Sequence, residues 1–325
     1  MTTGTTVTAV AHANIALAKY WGKADVTENL PAVPSLSLTL EALRSRTRVT
    51  PDAGLAEDDV TLDGTLATGR ARERVVALLD DVRALTGTNV RLRIESHNDF
   101  PTAAGLASSA SGFAALALGA SVALGAELPL ATLSSVARKA SASAARSLFG
   151  GFVALRLGAR AAEPLLAAEA FPLDMVIAVT ALGPKETSST DGMRHTLATS
   201  PYYRAWVDAA PGMFAEVERA VLARDLEALG VLVEQSALAM HASMLAARPA
   251  LVYFTPATLR AMERVRALRK AGTLAFYTMD AGPHVKVLCR PADADAVALA
   301  LGAVEGVERV LVSGAGPGAH VEASR

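Results

Sequence analysis

The sequence predicts an α+β protein in which sheets and helices form two layers. Three observations carry this expectation. Short alternating or fully apolar runs recur along the chain, and segments with helical spacing lie between them. The two kinds of segment are interspersed without the strict strand–helix–strand alternation of a parallel α/β fold. Hydrophobic residues make up 51% of the 325 residues, yet aromatics are only 5%. Much of the apolar share is alanine, which suits helices packed closely against a sheet.

Ser35–Leu40 reads SLSLTL, with leucines alternating with hydroxyls, and predicts a half-buried strand. Val90–Ser96 alternates in the same way. Phe152–Leu157, Met175–Val179, Val285–Leu288 and Val310–Val312 are short apolar runs of strand length. Helices are expected over Arg72–Leu85, Ser109–Leu124, Leu130–Ser147 and Tyr203–Arg224. Thr255–Lys270 has the best-marked ends: Thr255 as N-cap, Pro256 in the first turn and Gly272 just beyond the last turn. Segments 51–59 and 158–170 are rich in Asp, Glu and Ala and read as surface connections, the second as a link between lobes. The length accommodates one large domain or two ordinary ones.

The 31 basic and 32 acidic residues nearly cancel, so the basic excess of a nucleic-acid-wrapping protein is absent. The single cysteine, Cys289, cannot form an intrachain disulfide, and a reducing cytoplasm is the expected setting. MTTGTTVTAV at the N-terminus has neither a positive n-region nor an apolar h-region, so no secretory signal is expected. The uncharged stretch Pro101–Ala126 is broken by Pro, Gly and Ser. It falls short of the roughly 20 predominantly apolar residues of a spanning helix, and no membrane segment is expected. The six histidines show no ligand spacing and have no Cys/His pairing. No Gly-x-Ser-x-Gly elbow is present, which argues against a serine hydrolase.

Asn98–Gly112 reads NDFPTAAGLASSASG, between an expected strand and an expected helix. Gly105 and its small neighbours would let backbone N–H groups approach an anion, with a helix N-terminus adding a positive dipole end. Ser108 and Ser109 offer hydroxyls to a phosphate or to Mg²⁺. The Walker lysine is missing, so this is not a P-loop of the GxxxxGK[ST] type. By its residues alone the loop reads equally as a small-residue turn where a helix meets a sheet. Asp280, in Met279-Asp280-Ala281-Gly282-Pro283, ends the apolar run LAFYTM. Such a carboxylate can be aimed at a substrate as a general base, or can bond its own turn backbone. Arg146 follows Ser141 and Ser143, and a guanidinium there can grip a carboxylate with two parallel hydrogen bonds. It also reads as a helix-end surface arginine before Gly150-Gly151. Ser188, Ser189 and Thr190 form a hydroxyl cluster suited to a phosphate tail or to a capping turn. Arg74 reads as a surface arginine of an amphipathic helix.

PTAAGLASSASG resembles the ATP loop of the GHMP kinase superfamily, in the form used by diphosphomevalonate decarboxylases. NIALAKYWGKAD (Asn14–Asp25), followed by NLPAVPSLSLTL, resembles the same family's N-terminal motif. ASASAARSLFGG (Ala140–Gly151), KETSSTDGM (Lys185–Met193) and MDAGPHVKVL (Met279–Leu288) follow in the family's order. The resemblance implies a two-lobed GHMP kinase-type fold, with mixed and antiparallel sheets packed against helices and the active site in the cleft between lobes. It implies an ATP-binding domain over 1–172 and an α+β domain over 173–325. It also implies a reaction: ATP phosphorylates the tertiary hydroxyl of a 3-hydroxy acid, then phosphate and CO₂ depart and leave an alkene.

Roles follow from the same resemblance. Pro101, Ala104, Gly105, Leu106, Ala107, Ser108, Ser109, Ala110 and Ser111 cradle ATP, with Ser108 and Ser109 assisting Mg²⁺. Asp280 handles the hydroxyl proton, Lys19 neutralises charge near Asp280 and the γ-phosphoryl group, and Arg146 holds the substrate carboxylate. Tyr20, Lys23, Ser141, Ser143, Ser188, Ser189 and Thr190 bind substrate and its diphosphate, Ser189 foremost among the last three. Arg74 is similar to an arginine that reaches the active site in some members, and a homodimer is implied. The chain departs from the pattern at Ala140 and Ala142, where glycines are common, and at His284, where asparagine is common. The glycine-rich Ser313–Gly318 reads as a C-terminal turn. The rival readings are a mevalonate 5-phosphate decarboxylase, a mevalonate 3-kinase that stops at phosphorylation, and a non-catalytic ligand-binding relative. Pure 3-kinases are expected to lack the Asp/Lys pair, so Asp280 with Lys19 favours decarboxylation of mevalonate 5-diphosphate to isopentenyl diphosphate.

Overall fold

The structure, a computed structural model, describes residues 5–100, 108–181, 183 and 186–323. The expected ATP-loop residues Pro101, Ala104, Gly105, Leu106 and Ala107 lie outside the described residues. In chain order the first half holds β1 (Val7–Ala18), β2 (Lys23–Asp25), β3 (Leu30–Pro31), β4 (Ser35–Pro51), β5 (Asp59–Leu62) and β6 (Thr65–Leu66). It continues with α1 (Gly69–Thr86), β7 (Leu92–Asn98), α2 (Ser108–Ala123), α3 (Leu130–Ala140), a 3-10 turn (Ala142–Leu148), β8 (Phe152–Leu155) and β9 (Glu163–Leu166). The second half holds β10 (Asp174–Val179), α4 (Ser189–Thr199), α5 (Tyr203–Ala223), α6 (Leu226–Leu245) and α7 (Pro256–Lys270). It ends with β11 (Phe276–Thr278), β12 (Val285–Cys289), α8 (Ala294–Gly302), β13 (Arg309–Gly314) and β14 (His320–Val321).

Two larger sheets and the two-stranded β2–β3 pair organise these elements. The larger runs β14-β1-β4-β7-β5-β6, with β8 on the first half of β4 and β9 on β8, and only β5–β7 is parallel. The smaller is antiparallel, in the order β11-β12-β10-β13. The expected mixture of mixed and antiparallel sheets covered by helices is what is found. One core lies between the larger sheet and α1–α3, built from residues such as Val49, Ile94, Leu79, Val82 and Leu116. A second core joins Ile15, Leu17 and Leu38 of the larger sheet to Met175, Ile177, Phe276 and Leu288 of the smaller. α5 and α6 add Phe214, Val217, Leu229 and Val233 to it. The chain segments that carry the site run between these apolar clusters: Leu17 and Ala18 lie in the second core, and Ala144 and Leu148 in the first.

Several elements depart from the sequence reading, each for a tertiary reason. β1 is buried on both faces along almost its whole length and is rich in alanine, so it shows no alternation. α2 crosses it closely: a Cβ at Gly119 would lie 2.9 Å from Val49 Cγ2 and 3.3 Å from Ala9 Cβ. Ser35–Leu40 is not half-buried. Ser35, Ser37 and Thr39 are fully buried, and the in–out alternation begins only at Leu43. Leu130–Ser147 is not one helix. The chain leaves α3 at Ser141 (φ −154°, ψ 120°), where Asn29 Nδ2 donates to the carbonyls of Arg138 (2.8 Å) and Lys139 (3.2 Å). Arg74 takes the carbonyl of Ala140. Last-turn carbonyls left open by a helix end are thus satisfied from outside. Segment 158–170 is not a plain connection, because it contains β9. α6 is long and apolar enough to cross a membrane by length and composition alone. Here it packs on α5, β1 and β11 as a core helix.

Candidate active site

The Lys19–Lys23 string leaves β1 and is bolted to three helices. Gly22 has φ 119°, and a Cβ there would lie 2.3 Å from Tyr203 Oη, so both conformation and space demand glycine. Trp21 is buried, with Nε1 donating to Thr196 Oγ1 (3.2 Å), while Trp206 Nε1 donates to the Trp21 carbonyl (2.8 Å). A Cβ at Gly192 would lie 2.9 Å from the Trp21 ring, so α4 can approach only because that position is glycine. At the other end the Lys19 backbone N–H donates to Ser236 Oγ on α6 (3.0 Å).

Lys19 Nζ meets Asp280 Oδ1 at 2.6 Å, joining positions 261 residues apart. The Lys19 side chain is 1% exposed, whereas Asp280 keeps 27% of its side chain open. A second lysine, Lys286 of β12, places Nζ 3.0 Å from the other oxygen, Oδ2, and its side chain is wholly shut in. Burial alone would raise the Asp280 carboxyl. The two adjacent lysine charges outweigh burial and hold it far below the usual carboxylate range. Burial lowers Lys19 to about 8, opposed by the attraction of Asp280 and reinforced by repulsion from Lys286. The turn beneath is pinned throughout. Gly282 N–H donates to the Asp280 carbonyl (2.7 Å), and His241 Nε2 lies 3.1 Å from the same oxygen. Thr180 Oγ1 (2.8 Å) and Thr258 Oγ1 (2.6 Å) both donate to the Pro283 carbonyl. Burial lowers His241 to about 4, so it is neutral near pH 7. His284 is buried, and its Nδ1 accepts the Thr180 N–H (3.2 Å), making it part of this brace.

Arg146, on the 3-10 turn, is buried and not a surface residue. Its Nη1 donates to Ser35 Oγ (2.5 Å), and Nε donates to Ser37 Oγ (3.0 Å) and Asn14 Oδ1 (3.3 Å). Two of the buried hydroxyls of SLSLTL, Ser35 and Ser37, are therefore the sockets of this guanidinium, while Thr39 Oγ1 donates to the Phe149 carbonyl. Burial lowers Arg146 to about 10, partly offset by Tyr20 and by the Asp280 carboxylate, so Arg146 and Asp280 share one electrostatic environment. Tyr20 Oη is buried with no hydrogen-bond partner among the described residues, and burial pushes its pKa well above the ordinary phenol value. Ser141 Oγ and Ser143 Oγ lie 3.2 Å apart at the start of the same turn. Lys19, Tyr20, Arg146 and Asp280 are thus brought together, with the serine pair on the turn that carries Arg146.

Lys23 is lowered by burial and by the neighbouring cations Arg74 and Arg70. Among the described residues, none of the three makes a salt bridge. Arg74 is half-buried, not a surface arginine: it stacks over Phe113 at 4.6 Å and donates to Ala140 O through Nη2 (2.6 Å). Asp191 feels both Arg70 and Lys23, which ties this cationic group to the N-terminal turn of α4. Ser188 is the α4 N-cap, accepting the Asp191 N–H (3.1 Å) and donating to Asp191 Oδ2 (2.6 Å). The capping reading holds for it. Ser189 and Thr190 are the first two residues of α4.

A cavity of about 220 Å³ opens beside the α2 N-terminus, lined by Ser108, Ser109, Gly112, Phe113, Ile94 and Asn98 among others. Ala110 and Ser111 face inward instead. Both are fully buried, and Ser111 Oγ lies 2.7 Å from Ser45 Oγ. The apolar slot and small-residue helix start fit a nucleoside with its phosphates over the helix end. No cluster of three or more His, Cys, Asp or Glu side chains able to hold a metal exists among the described residues. A magnesium ion here would be held mainly by phosphate oxygens, with Ser108 or Ser109 in support. Ser313–Gly318 is a brace and not a free turn. Gly316 N–H donates to Thr39 O (2.8 Å) and its carbonyl accepts the Gly151 N–H (3.0 Å), behind the turn that carries Arg146. A Cβ at Gly316 would lie 2.6 Å from the Glu41 nitrogen.

Lys286, Ser35, Ser37, Asn14, His241 and Arg70 join the site without having been singled out in the sequence. A signal existed for Lys286, which is a lysine inside the strand run VKVLC.

Residues 11–165 match the family model of the diphosphomevalonate decarboxylase-like N-terminal domain, and residues 175–311 that of the mevalonate 5-diphosphate decarboxylase C-terminal domain. The chain is 36% identical over 310 residues to the diphosphomevalonate decarboxylase of Candida albicans, covering 88% of this chain and 85% of that one. Its structure is similar to one solved in complex with MVAPP, AMPPCP and magnesium (TM-score 0.89, 39% identity, 98% of this chain and 99% of that chain). It is also similar to the mevalonate diphosphate decarboxylase of Staphylococcus aureus (TM-score 0.92, 35% identity, 98% of each chain). Matched across both halves by sequence and fold, the chain belongs to the diphosphomevalonate decarboxylase family.

Proposed function

We propose that this chain catalyses the ATP-dependent decarboxylation of mevalonate 5-diphosphate to isopentenyl diphosphate, with release of ADP, phosphate and CO₂. The observation that carries the reading is the Asp280 carboxylate, 27% exposed, bound to Lys19 at 2.6 Å and feeling the charge of the buried Arg146. Family membership, and a relative solved with MVAPP, AMPPCP and magnesium, support the choice of substrates.

ATP with its magnesium ion supplies the phosphoryl group. Asp280 accepts the proton of the tertiary hydroxyl as the hydroxyl oxygen bonds to the γ-phosphorus and ADP leaves. A carboxylate held so far below its usual range is a weak base, so the proton moves late, as oxygen–phosphorus bonding advances. Lys19 keeps the carboxylate ionised and its own charge faces the transferring group. The new phosphate ester then breaks at its carbon–oxygen bond. The electrons of the bond between the carboxylate and the chain become the alkene, and CO₂ departs. Arg146 has Nε and one side of Nη1 committed to Ser35, Ser37 and Asn14. The rest of its fork holds the substrate carboxylate in a fixed plane until the bond breaks. Tyr20, Ser141 and Ser143 add hydrogen bonds to the substrate. Lys23, Arg70 and Arg74, with Ser189 and Thr190 at the start of α4, take the diphosphate tail. Ser108 and Ser109 meet the ATP phosphates. A homodimer in the cytoplasm belongs to the same reading, and sedimentation of the purified chain checks the dimer.

Purified protein with ATP, Mg²⁺ and each mevalonate derivative, with ADP and CO₂ measured together, tests the function. Equal release of ADP and CO₂ from the diphosphate is expected. ADP without CO₂ would reduce the activity to a 3-kinase, and turnover of the monophosphate alone would move the assignment to that substrate.

A further inference from the structure

The turn that carries Asp280 brings with it a second cation, which the reaction as derived does not use. Lys286 lies between Val285 and Val287 in a strand buried along its whole length, opposite Ile177 on β10 and Thr278 on β11. An uncompensated ammonium in such a place is costly. Among the described residues its ion-pair partner is Asp280, with Nζ 3.0 Å from Oδ2. Lys19 occupies the other oxygen at 2.6 Å. We propose that Lys286 is a positioning residue for Asp280: it holds Oδ2 from the sheet side, so that the Oδ1 edge, shared with Lys19, is the one presented to the substrate hydroxyl. This rests on the reading of Asp280 as the group that takes the hydroxyl proton.

The terminal torsion of an aspartate is broad and nearly two-fold, so one lysine alone leaves either oxygen free to meet it. Two lysines, one per oxygen and arriving from different elements, remove that freedom. Positioning of this kind matters in proportion to how narrow the reactive geometry is. The charged and titratable groups around Asp280 are Lys19 at the end of β1, Lys286 on β12, His241 on α6 at its carbonyl, and Arg146 on the 3-10 turn. With His241 neutral, the Lys19–Asp280–Lys286 trio carries a net charge of +1. Loss of Lys286 removes one of the two charges that keep the carboxylate ionised, so its proton affinity rises.

The test uses the full chain with Lys286→Met, close in length and neutral, and Lys286→Gln, which keeps an N–H donor without the charge. kcat and KM for mevalonate diphosphate, the pH profile of kcat/KM, and the dissociation constant of AMPPCP are measured for both, beside Asp280→Asn. Lys286→Met is expected to lower kcat by about tenfold or more, the scale of a lost positioning contact. KM and AMPPCP affinity should hold within about twofold, and the acid limb of kcat/KM should move to higher pH. Lys286→Gln should recover kcat while its acid limb remains displaced. If Lys286→Met does not give soluble protein, the displaced acid limb of Lys286→Gln stands as the readout. An acid limb unmoved in whichever variant folds, or a full kcat in Lys286→Met, overturns the proposal. The parent reading fails separately: Asp280→Asn would then keep its turnover.

Discussion

Asp280→Asn tests both the chemistry and the electrostatics of the site. The substitution keeps shape and removes one charge, leaving two buried lysines without their counterion. Breaking a buried pair by deleting one partner costs about 3–5 kcal/mol. Asp280 is 27% exposed, so water in the cleft relieves part of this and the lower end, about 3 kcal/mol, applies near pH 7. That is a sizeable share of a total stability of about 5–15 kcal/mol. In a chain this long it corresponds to a fall of about 5 °C in Tm. The deficit should depend on pH with a defined sign. In the parent, a carboxyl held below its unfolded value stabilises the fold above about pH 4, and this is lost as pH falls, so the two proteins converge in acid. Lys19 sits at about 8 in the fold, and without Asp280 it falls further. An unfolded lysine holds its proton to about pH 10.4, so the unfolded chain binds more protons over that window and stability rises with pH through it. For the variant the window opens lower, so the gap should also narrow between about pH 7 and 8. Thermal unfolding of both proteins from pH 3 to 9 reads this directly. A gap that is absent, or constant across that range, would refute the buried two-lysine arrangement. In parallel, ADP formation should vanish while AMPPCP binding persists, and near-normal turnover would refute Asp280 as proton acceptor.

Other outcomes follow from the same geometry. Arg146→Lys loses the fork that spans Ser35, Ser37 and Asn14, and charged hydrogen bonds of about 1.5–3 kcal/mol predict a fall in kcat/KM of roughly 10- to 100-fold; unchanged kcat/KM would remove Arg146 from the carboxylate site. The alkaline limb of kcat/KM in the free enzyme should lie near pH 8, because Lys19 loses its charge above that point; a profile flat to pH 9.5 contradicts it. Gly230→Ala places a Cβ about 2 Å from the buried Phe276 ring, so a loss of at least 1–3 kcal/mol is expected in urea unfolding, with no change at neutral sites such as an exposed Ala control.

Much of the site was legible in the residues because its chemistry depends on side chains that few other uses would place together. Asp280, Lys19 and Arg146 took their roles from the family resemblance of their motifs, and the fold brings them into one electrostatic group. Local signals also read true where local forces dominate, as at Thr255–Lys270, whose Thr255 and Thr258 form a reciprocal cap. The ordinary look of SLSLTL hid the opposite arrangement. Its hydroxyls point into the protein because a buried guanidinium needs acceptors, and that guanidinium arrives from a segment about 110 residues later. β1 was missed because burial on both faces erases its alternation, and α6 because apolar residues such as Val231 and Leu245 lie on its exposed face as well as its buried one. Leu130–Ser147 broke in two because side chains from Asn29 and Arg74 offered its last carbonyls better partners than another helical turn.

The sequence by itself determined the family, the α+β character and the chemical types gathered at the site, since these rest on residue identity and short-range pattern. Only the tertiary structure decided which of those residues meet. Lys286 reads as an anomaly in a buried strand until the Asp280 turn folds over it, and the two lysines then take one oxygen each of the same carboxylate. The Lys19–Asp280 contact, across 261 residues, leaves no local trace, whereas a charge inside a strand is tolerable only where folding supplies its partner, as the turn before β12 does for Lys286.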